Sequence, residues 1–336
     1  MAVPRKIRMS IGTASVLGLM RCSLLARPTT AYLMLYIDGR CRANCGFCPQ
    51  ARSSSTNTKF LSRVVWPPFE FEKVLHALKR CKSVGIRRIC VQTLNYERVV
   101  EDTADVVSRI HEEVPDVPIS VSIQPISEEG MRLLKESGIE RISIPVDAAT
   151  PELFEKVKGS KCGGPYRWDR HMRAIETALR VFGTGSVSTH LIIGLGETER
   201  EAVEFIQKMT DMGVLVGLFA FTPIRGTRLE KLPPPPVDQY RRVQIARYII
   251  VHRIAHADDM EFSEDGRIVS FGIDEATLKE IVESGRPFMT SGCPHCNRPF
   301  YNESPRGPIY NYPYPPSRAD IVRIKRELGW SGNQVQ

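Results

Sequence analysis

From residue 30 to about 222 the chain alternates short β-branched runs with longer amphipathic stretches, and no other feature restricts its fold so far. The spacing predicts strands over 32–37, 88–93, 119–123, 142–146, 188–193 and 216–221. Between them it predicts helices over 71–84, 98–113, 128–136, 151–157, 168–181 and 199–212. Ser127 before Glu128 and Glu129, and Thr150 before Pro151, mark two helix starts, and Gly85, Gly138 and Gly213 stand where C-terminal caps belong. Strand–helix units of this length join parallel strands through right-handed crossovers. Six of them predict an α/β chain built on a partial (β/α)6 barrel over residues 30–230, with an N-terminal extension over 1–29. Beyond residue 227 the texture changes: Pro233 to Pro236 read as a stiff linker, and a helix is expected from 239 to about 256. Residues 231–336 are expected to fold back over the barrel as a C-terminal extension with a last short helix over 317–328.

Cysteines carry the chemistry. Cys41, Cys45 and Cys48 lie within eight residues, just past the first expected strand, at the end of a parallel barrel where reactive groups gather. Three thiolates hold a 4Fe–4S cluster and leave one iron open to a ligand. A structural zinc site would bring a matching second pair or histidines. A chain of 336 residues needs no disulfide staples, and nine cysteines is an odd number. A second group, Cys293-Pro294-His295-Cys296, is a pair able to clip onto a metal or cluster. A zinc knuckle or a surface redox pair are the other readings of that pair, and the knuckle lacks two ligands. Cys22, Cys81 and Cys162 read as buried or idle thiols, and His171 and His190 as satisfied polar groups.

The fifth strand runs into Gly194-Leu195-Gly196-Glu197-Thr198, a turn that lets backbone approach a ligand just before a helix starts. The fourth ends at Pro145-Val146-Asp147, where an aspartate serves as a turn or cap residue or as a ligand contact.

The C-x3-C-x2-C spacing, with Phe47 before the third cysteine, resembles the signature of the radical S-adenosylmethionine (SAM) enzymes. The resemblance implies a 4Fe–4S cluster on Cys41, Cys45 and Cys48 whose open iron chelates SAM and whose electron releases a 5′-deoxyadenosyl radical. Gly194 to Thr198 resembles the form of the family's glycine motif found in biotin synthase. Phe47, Gln92, Asp147, Gly194, Gly196 and Glu197 are then the expected SAM contacts. The family's G-G-E motif is absent, and Gln92-Thr93-Leu94-Asn95 stands in its place. Of the positions that hold the second, sulfur-donating cluster of biotin synthase, Cys90 matches one. Ser122 and Ser188 replace two others, and the arginine position is apolar near Phe262.

The segment from Cys293 to Pro313, with VQTLNY and KCGGPYRW, resembles the two-protein lipoyl synthases, relatives of biotin synthase. That resemblance implies an auxiliary iron–sulfur cluster on Cys90, Cys293 and Cys296, with Ser304 as an outside candidate for a fourth ligand. It also implies sulfur insertion into an octanoyl chain on a lipoyl carrier domain, such as glycine cleavage H protein. Cys41, Cys45, Cys48, Cys293 and Cys296 would carry the catalysis, with a homologous second subunit and an electron donor as partners. The alternative is a biotin synthase-like or other radical SAM enzyme.

The net charge is +8, with basic and acidic residues interleaved along the chain. This suits an acidic protein partner, whereas nucleic acid lacks a basic stripe with stacking aromatics. No run of eighteen apolar residues predicts a membrane span, and the apolar stretch 11–20 lacks a cleavage site, so a cytoplasmic protein is expected.

Overall fold

The computed structural model describes residues 4–330. In chain order its strands are β1 (Lys6–Met9), β2 (Thr30–Leu35), β3 (Phe60–Leu61), β4 (Val64–Val65), β5 (Pro68–Glu70), β6 (Arg88–Gln92), β7 (Ile119–Ser122), β8 (Ile139–Ser143), β9 (Val187–Ile193), β10 (Leu215–Ala220), β11 (Glu261–Phe262) and β12 (Ile268–Ser270). Its α-helices are α1 (Ile11–Val16), α2 (Phe71–Leu78), α3 (Val99–Glu113), α4 (Glu128–Glu136), α5 (Pro151–Val157), α6 (Trp168–Phe182), α7 (Glu199–Asp211), α8 (Val237–Val251), α9 (Glu275–Glu283) and α10 (Arg318–Glu327).

Eight strands form one sheet in the order β10-β9-β8-β7-β6-β2-β1-β5. The six strands from β2 to β10 are parallel neighbours, as the crossovers require. The sheet stays open, with β10 and β5 at its edges. Side chains alternate across it. On β6, Ile89 and Val91 turn outward and are fully buried, while Arg88, Cys90 and Gln92 line an interior cavity. Tyr32 of β2 and Phe219 of β10 both reach that cavity, so the sheet curls around it as a partial barrel.

The N-terminal residues are less of an appendage than expected. Lys6–Met9 pairs antiparallel with β2 and with β5, and its Ile7 and Met9 are fully buried. A four-residue strand offers too little alternation to be read ahead of the structure. The strand expected over 142–146 sits three residues earlier, because the chain leaves regular pairing after Ser143 and rejoins β9 only at the isolated bridge between Asp147 and Leu191. The helix expected from 239 begins at Val237, directly after Pro236, and ends five residues sooner, at Val251. It packs on α7 through a buried ion pair, Arg242 Nη2 to Glu199 Oε1 at 2.6 Å.

The C-terminal residues close what the sheet leaves open. Ser291 Oγ accepts the Leu218 N–H of β10 at 2.8 Å, and the Arg298 guanidinium donates to the Leu218 carbonyl at 3.1 Å. On the other side Thr30 Oγ1 donates to the His295 carbonyl at 2.9 Å, and Arg298 N–H donates to Tyr32 Oη at 2.8 Å. Farther along, Ser62 Oγ donates to the Tyr301 carbonyl at 2.9 Å and Thr222 Oγ1 to the Asn302 carbonyl at 2.7 Å. Residues 291–302 therefore lie along the seam between β10 and β2.

A candidate active site between two cysteine trios

Cys41, Cys45 and Cys48 sit in the loop between β2 and β3, and bonds within that loop and to its neighbours hold it in shape. Cys41 N–H donates to the Gln50 carbonyl at 3.1 Å, Arg52 N–H to the Ala43 carbonyl at 2.8 Å, and Gly46 N–H to the Val157 carbonyl at 2.7 Å. Gly46 itself is packed so that a Cβ there would stand 3.2 Å from Leu229 Cγ. Asn95 N–H donates to Cys41 Sγ at 3.1 Å, the kind of bond that tunes an iron–sulfur site.

The three thiols feel one another. Burial and then Cys41 push the Cys48 thiol up to about 12. Burial raises Cys45 well above the ordinary thiol range, partly offset by the ammonium of Lys158. Burial also raises Cys41, against the Asn95 N–H and Lys158. Such thiols lose their protons together only to a strong cationic centre, so the donor set fits an iron–sulfur cluster. Among the described residues no three His, Cys, Asp or Glu side chains close on the position of a single metal ion.

The second trio comes from opposite ends of the chain. Cys90 lies mid-strand on β6, and Cys293 and Cys296 lie in the segment that fills the seam. Burial raises the Cys90 thiol, with Cys293 and Cys296 as the next causes, so the three are neighbours. Gln92 Nε2 donates to Cys90 Sγ at 3.1 Å, and Tyr32 Oη stands 3.5 Å from Cys296 Sγ. Tyr32 Oη already accepts the Arg298 N–H, which leaves its own proton for the Cys296 sulfur. Two buried arginines flank the trio. Arg88 donates to the Pro294 carbonyl at 3.0 Å, Ser120 Oγ at 2.7 Å and Glu140 Oε2 at 3.1 Å. Arg298 lies 3.9 Å over the Phe219 ring and is the largest influence lowering the Cys296 thiol against its burial. Small side chains, Ser120, Ser122, Ser188 and Gly217, leave room beside the thiols for a bulky inorganic group.

One cavity of about 220 Å³ joins the trios. Its lining includes Phe47 and Cys48 of the first group, Cys90, Cys293 and Cys296 of the second, and Gln92 and Asp147. Asp147 is buried in the left-handed region, φ +71, and bonds Lys158 Nζ at 2.7 Å. Lys158 is fully buried, and its ammonium lies 5.4 Å from the Tyr166 ring centroid. His190 also lines the cavity, 3.9 Å from Asp147, and burial drives it down to about 4, so it stays neutral.

Of the expected site residues, Cys41, Cys45, Gly194, Gly196 and Glu197 lie outside the cavity lining. Gly194 and Gly196 adopt positive φ, and the buried Glu197 carboxylate accepts the Gly194 and Leu195 N–H groups at 2.6 and 3.1 Å. That carboxylate is spent on shaping the turn, which packs against Pro235. Gln92 is turned to Cys90, and Thr93 Oγ1 is occupied by the Ser122 carbonyl at 3.0 Å. Ser304 sits in a turn, where its Oγ accepts the Arg306 N–H at 3.2 Å. Phe262 lies on β11 under Arg200, and the arginines beside the second trio are Arg88 and Arg298 instead. His171 is satisfied by the Arg167 carbonyl and Gln124 Oε1, both at 3.0 Å. Lys158, Tyr32 and Arg88 escape a sequence reading as site residues, since nothing local marks them, and Asn95 enters it only as part of the stretch 92–95. Arg298 had one available signal, its place two residues after Cys296.

A family model described as Radical SAM superfamily matches residues 35–209. The chain is 27% identical over 223 residues to biotin synthase of Desulforudis audaxviator, a match covering 64% of this chain and 61% of that protein. It is 24% identical over 306 residues to biotin synthase of Chlorobium phaeobacteroides (strain BS1), covering 87% and 80%. Among solved structures, methylornithine synthase (PylB) superposes with a TM-score of 0.51 at 17% identity, over 66% of this chain and 62% of that one. HydG, a maturase of the FeFe-hydrogenase, gives 0.51 at 16%, over 66% and 50%. At these identities the structural likeness is one of fold. With the family model over more than half its length and the cysteine trio on its first loop, the chain belongs to the radical SAM superfamily, whose cofactors are a 4Fe–4S cluster and SAM.

Proposed function

We propose that the protein inserts sulfur into an octanoyl chain carried on a lipoyl carrier domain, as one of two homologous lipoyl synthase subunits served by an electron donor. The observation that carries this reading is the single cavity that touches both cysteine trios. Bound at those trios, a 4Fe–4S cluster with SAM supplies a hydrogen-abstracting radical, and an auxiliary cluster supplies sulfide.

The chain's own residues hold the reaction together. Cys41, Cys45 and Cys48 bind at the loop end of the barrel, and Cys90, Cys293 and Cys296 at the seam. Phe47, Leu61, Trp66, Phe219 and Phe221 make much of the lining apolar, which excludes water and suits an alkyl chain. The strands on which the lining stands are rigid, so a carbon between the trios is held near both. Arg88 and Arg298 set buried positive charge beside the sulfur-bearing end. Tyr32 steadies Cys296 by its hydroxyl proton.

A second reading, sulfur insertion into dethiobiotin, draws on the names of the relatives. Ser122 and Ser188 stand against it, since they face the cavity where biotin synthase has cysteines. Mass spectrometry of an octanoyl-lysine peptide and of dethiobiotin, each after anaerobic incubation with reductant and SAM, separates the two. The expected result is a thiolated peptide. Cys45→Ala should abolish SAM cleavage, whereas Cys293→Ala should keep it and yield no thiolated product. Thiolation by Cys293→Ala would overturn the assignment of the second trio.

A further inference from the structure

Positive charge gathers on one part of the cavity's loop end. Three connections meet there: 36–59 after β2, 158–167 after α5, and 221–236 after β10. Together they hold ten basic residues and two acidic ones, an excess equal to the whole +8 of the chain. Hydrogen bonds staple them into one surface. Arg52 Nη2 donates to the Gly163 carbonyl at 2.9 Å, Asn44 Nδ2 to the Cys162 carbonyl at 2.7 Å, and Thr56 Oγ1 to the Arg225 carbonyl at 2.6 Å. Lys158 is buried against Asp147, Arg42 pairs with Glu97 and Arg167 with Asp169. Glu230 spends its carboxylate on the Gly226 N–H at 2.6 Å. Arg52, Lys59, Lys161, Arg225, Arg228 and Lys231 are exposed and, among the described residues, have no carboxylate partner.

We infer that this rim is the docking surface for an acidic protein domain that delivers the substrate on a tether. The inference rests on the proposed function, and it names where and by what force the carrier is held. Six unpaired cations on a stapled surface attract a negative domain over a distance of about a Debye length and orient it before contact. The same loops supply Phe47, Cys48, Pro49, Phe221 and Thr222 to the cavity lining, so a domain seated on the rim has its arm at the reacting end. RNA is the less suited partner, because none of the exposed residues of these loops is aromatic and nothing there can stack on bases.

The test measures binding of an octanoylated lipoyl carrier domain of net negative charge to the reconstituted enzyme. Raising salt from about 0.05 to about 0.5 M should weaken binding at least tenfold. The triple variant Lys161→Glu, Arg228→Glu, Lys231→Glu should weaken it by at least as much. Release of 5′-deoxyadenosine from SAM without carrier should stay unchanged in that variant, which also shows that it is folded. The single variant Lys231→Glu should show a smaller loss in the same direction. Carrier binding that ignores both salt and charge reversal overturns the inference, as does a rim that binds polyuridylate and not the carrier. Failure here is separable from failure of the proposed chemistry: a wild type that thiolates free octanoyl-lysine peptide but ignores charge reversal refutes only the docking. A wild type that binds the carrier through the rim and thiolates nothing refutes only the chemistry.

Discussion

Lys158 has no exposed surface, and its ammonium is shared between the Pro145 carbonyl and Asp147 Oδ2. A buried ion pair adds little net stability, yet losing one partner strands the other charge. Lys158→Met should therefore cost about 3–5 kcal/mol in urea unfolding of the cluster-free protein. Adding Asp147→Asn to it should recover a large part, and an equal loss in the double variant would mean the pair is not coupled. Glu303 is the opposite case, a buried carboxyl whose Oε2 has no hydrogen-bond partner. Burial lifts it to about 8, against the nearby Arg298, Arg241 and Arg63. With the folded value above the unfolded one, its stabilising contribution is complete below about pH 4.5 and is lost as pH rises through about 8. The melting temperature of the wild type should accordingly fall between pH 5 and about 9 by more than that of Glu303→Gln. Parallel pH profiles of the two would show that Glu303 is ionised throughout.

Elements meet the site through turns with little tolerance. At the end of β9, Gly194 has φ +101, and a Cβ there would stand 2.7 Å from Pro235 Cδ and 3.0 Å from the Pro235 nitrogen. Gly183, at the end of α6, has φ +86 but nothing within 4 Å of an added Cβ. The pair separates strain from collision. Gly183→Ala should cost about 1–3 kcal/mol, from the backbone alone, and Gly194→Ala clearly more by thermal unfolding. Equal costs would show that Pro235 yields freely. The helix starts were readable because capping is local: Thr198 and Glu201 form a capping box at α7, and Ser127 caps α4 by accepting the Gly130 N–H at 3.1 Å. The short strands β1 and β5 were not readable, since what makes them strands is the edge of β2 and not their own pattern.

At the scale of the molecule, residues 291–302 finish a barrel that the sheet leaves open. Asn297 is a latch, accepting the Thr29 N–H at 3.0 Å and donating to the Arg27 carbonyl at 2.9 Å. Asn297→Ala with Ser291→Ala should speed amide exchange of Thr29 and Leu218 at least about tenfold, while Ile89, paired inside the sheet, keeps its protection. Unchanged exchange at Leu218 would mean that the seam is held by other contacts. The parallel α/β order, most helix starts and the Cys41, Cys45, Cys48 loop could be read from the chain alone, because each depends on neighbours a few residues away and on periods of two or 3.6, whereas α2 ends at Leu78 and α8 at Val251, sooner than the patterns over 71–84 and 239–256 predict. The second trio is of another kind. Cys90 and Cys296 become neighbours through bonds across the seam, such as those of Thr29 to Asn297, 268 residues away, and of Arg88 to Pro294. Contacts of the same long-range kind put Arg88 against Pro294 and Lys158 beside Cys45. Spacing along a chain says nothing about which distant segment fills an opening. That choice belongs to the packing of the whole, where burial and charge are set by every neighbour at once.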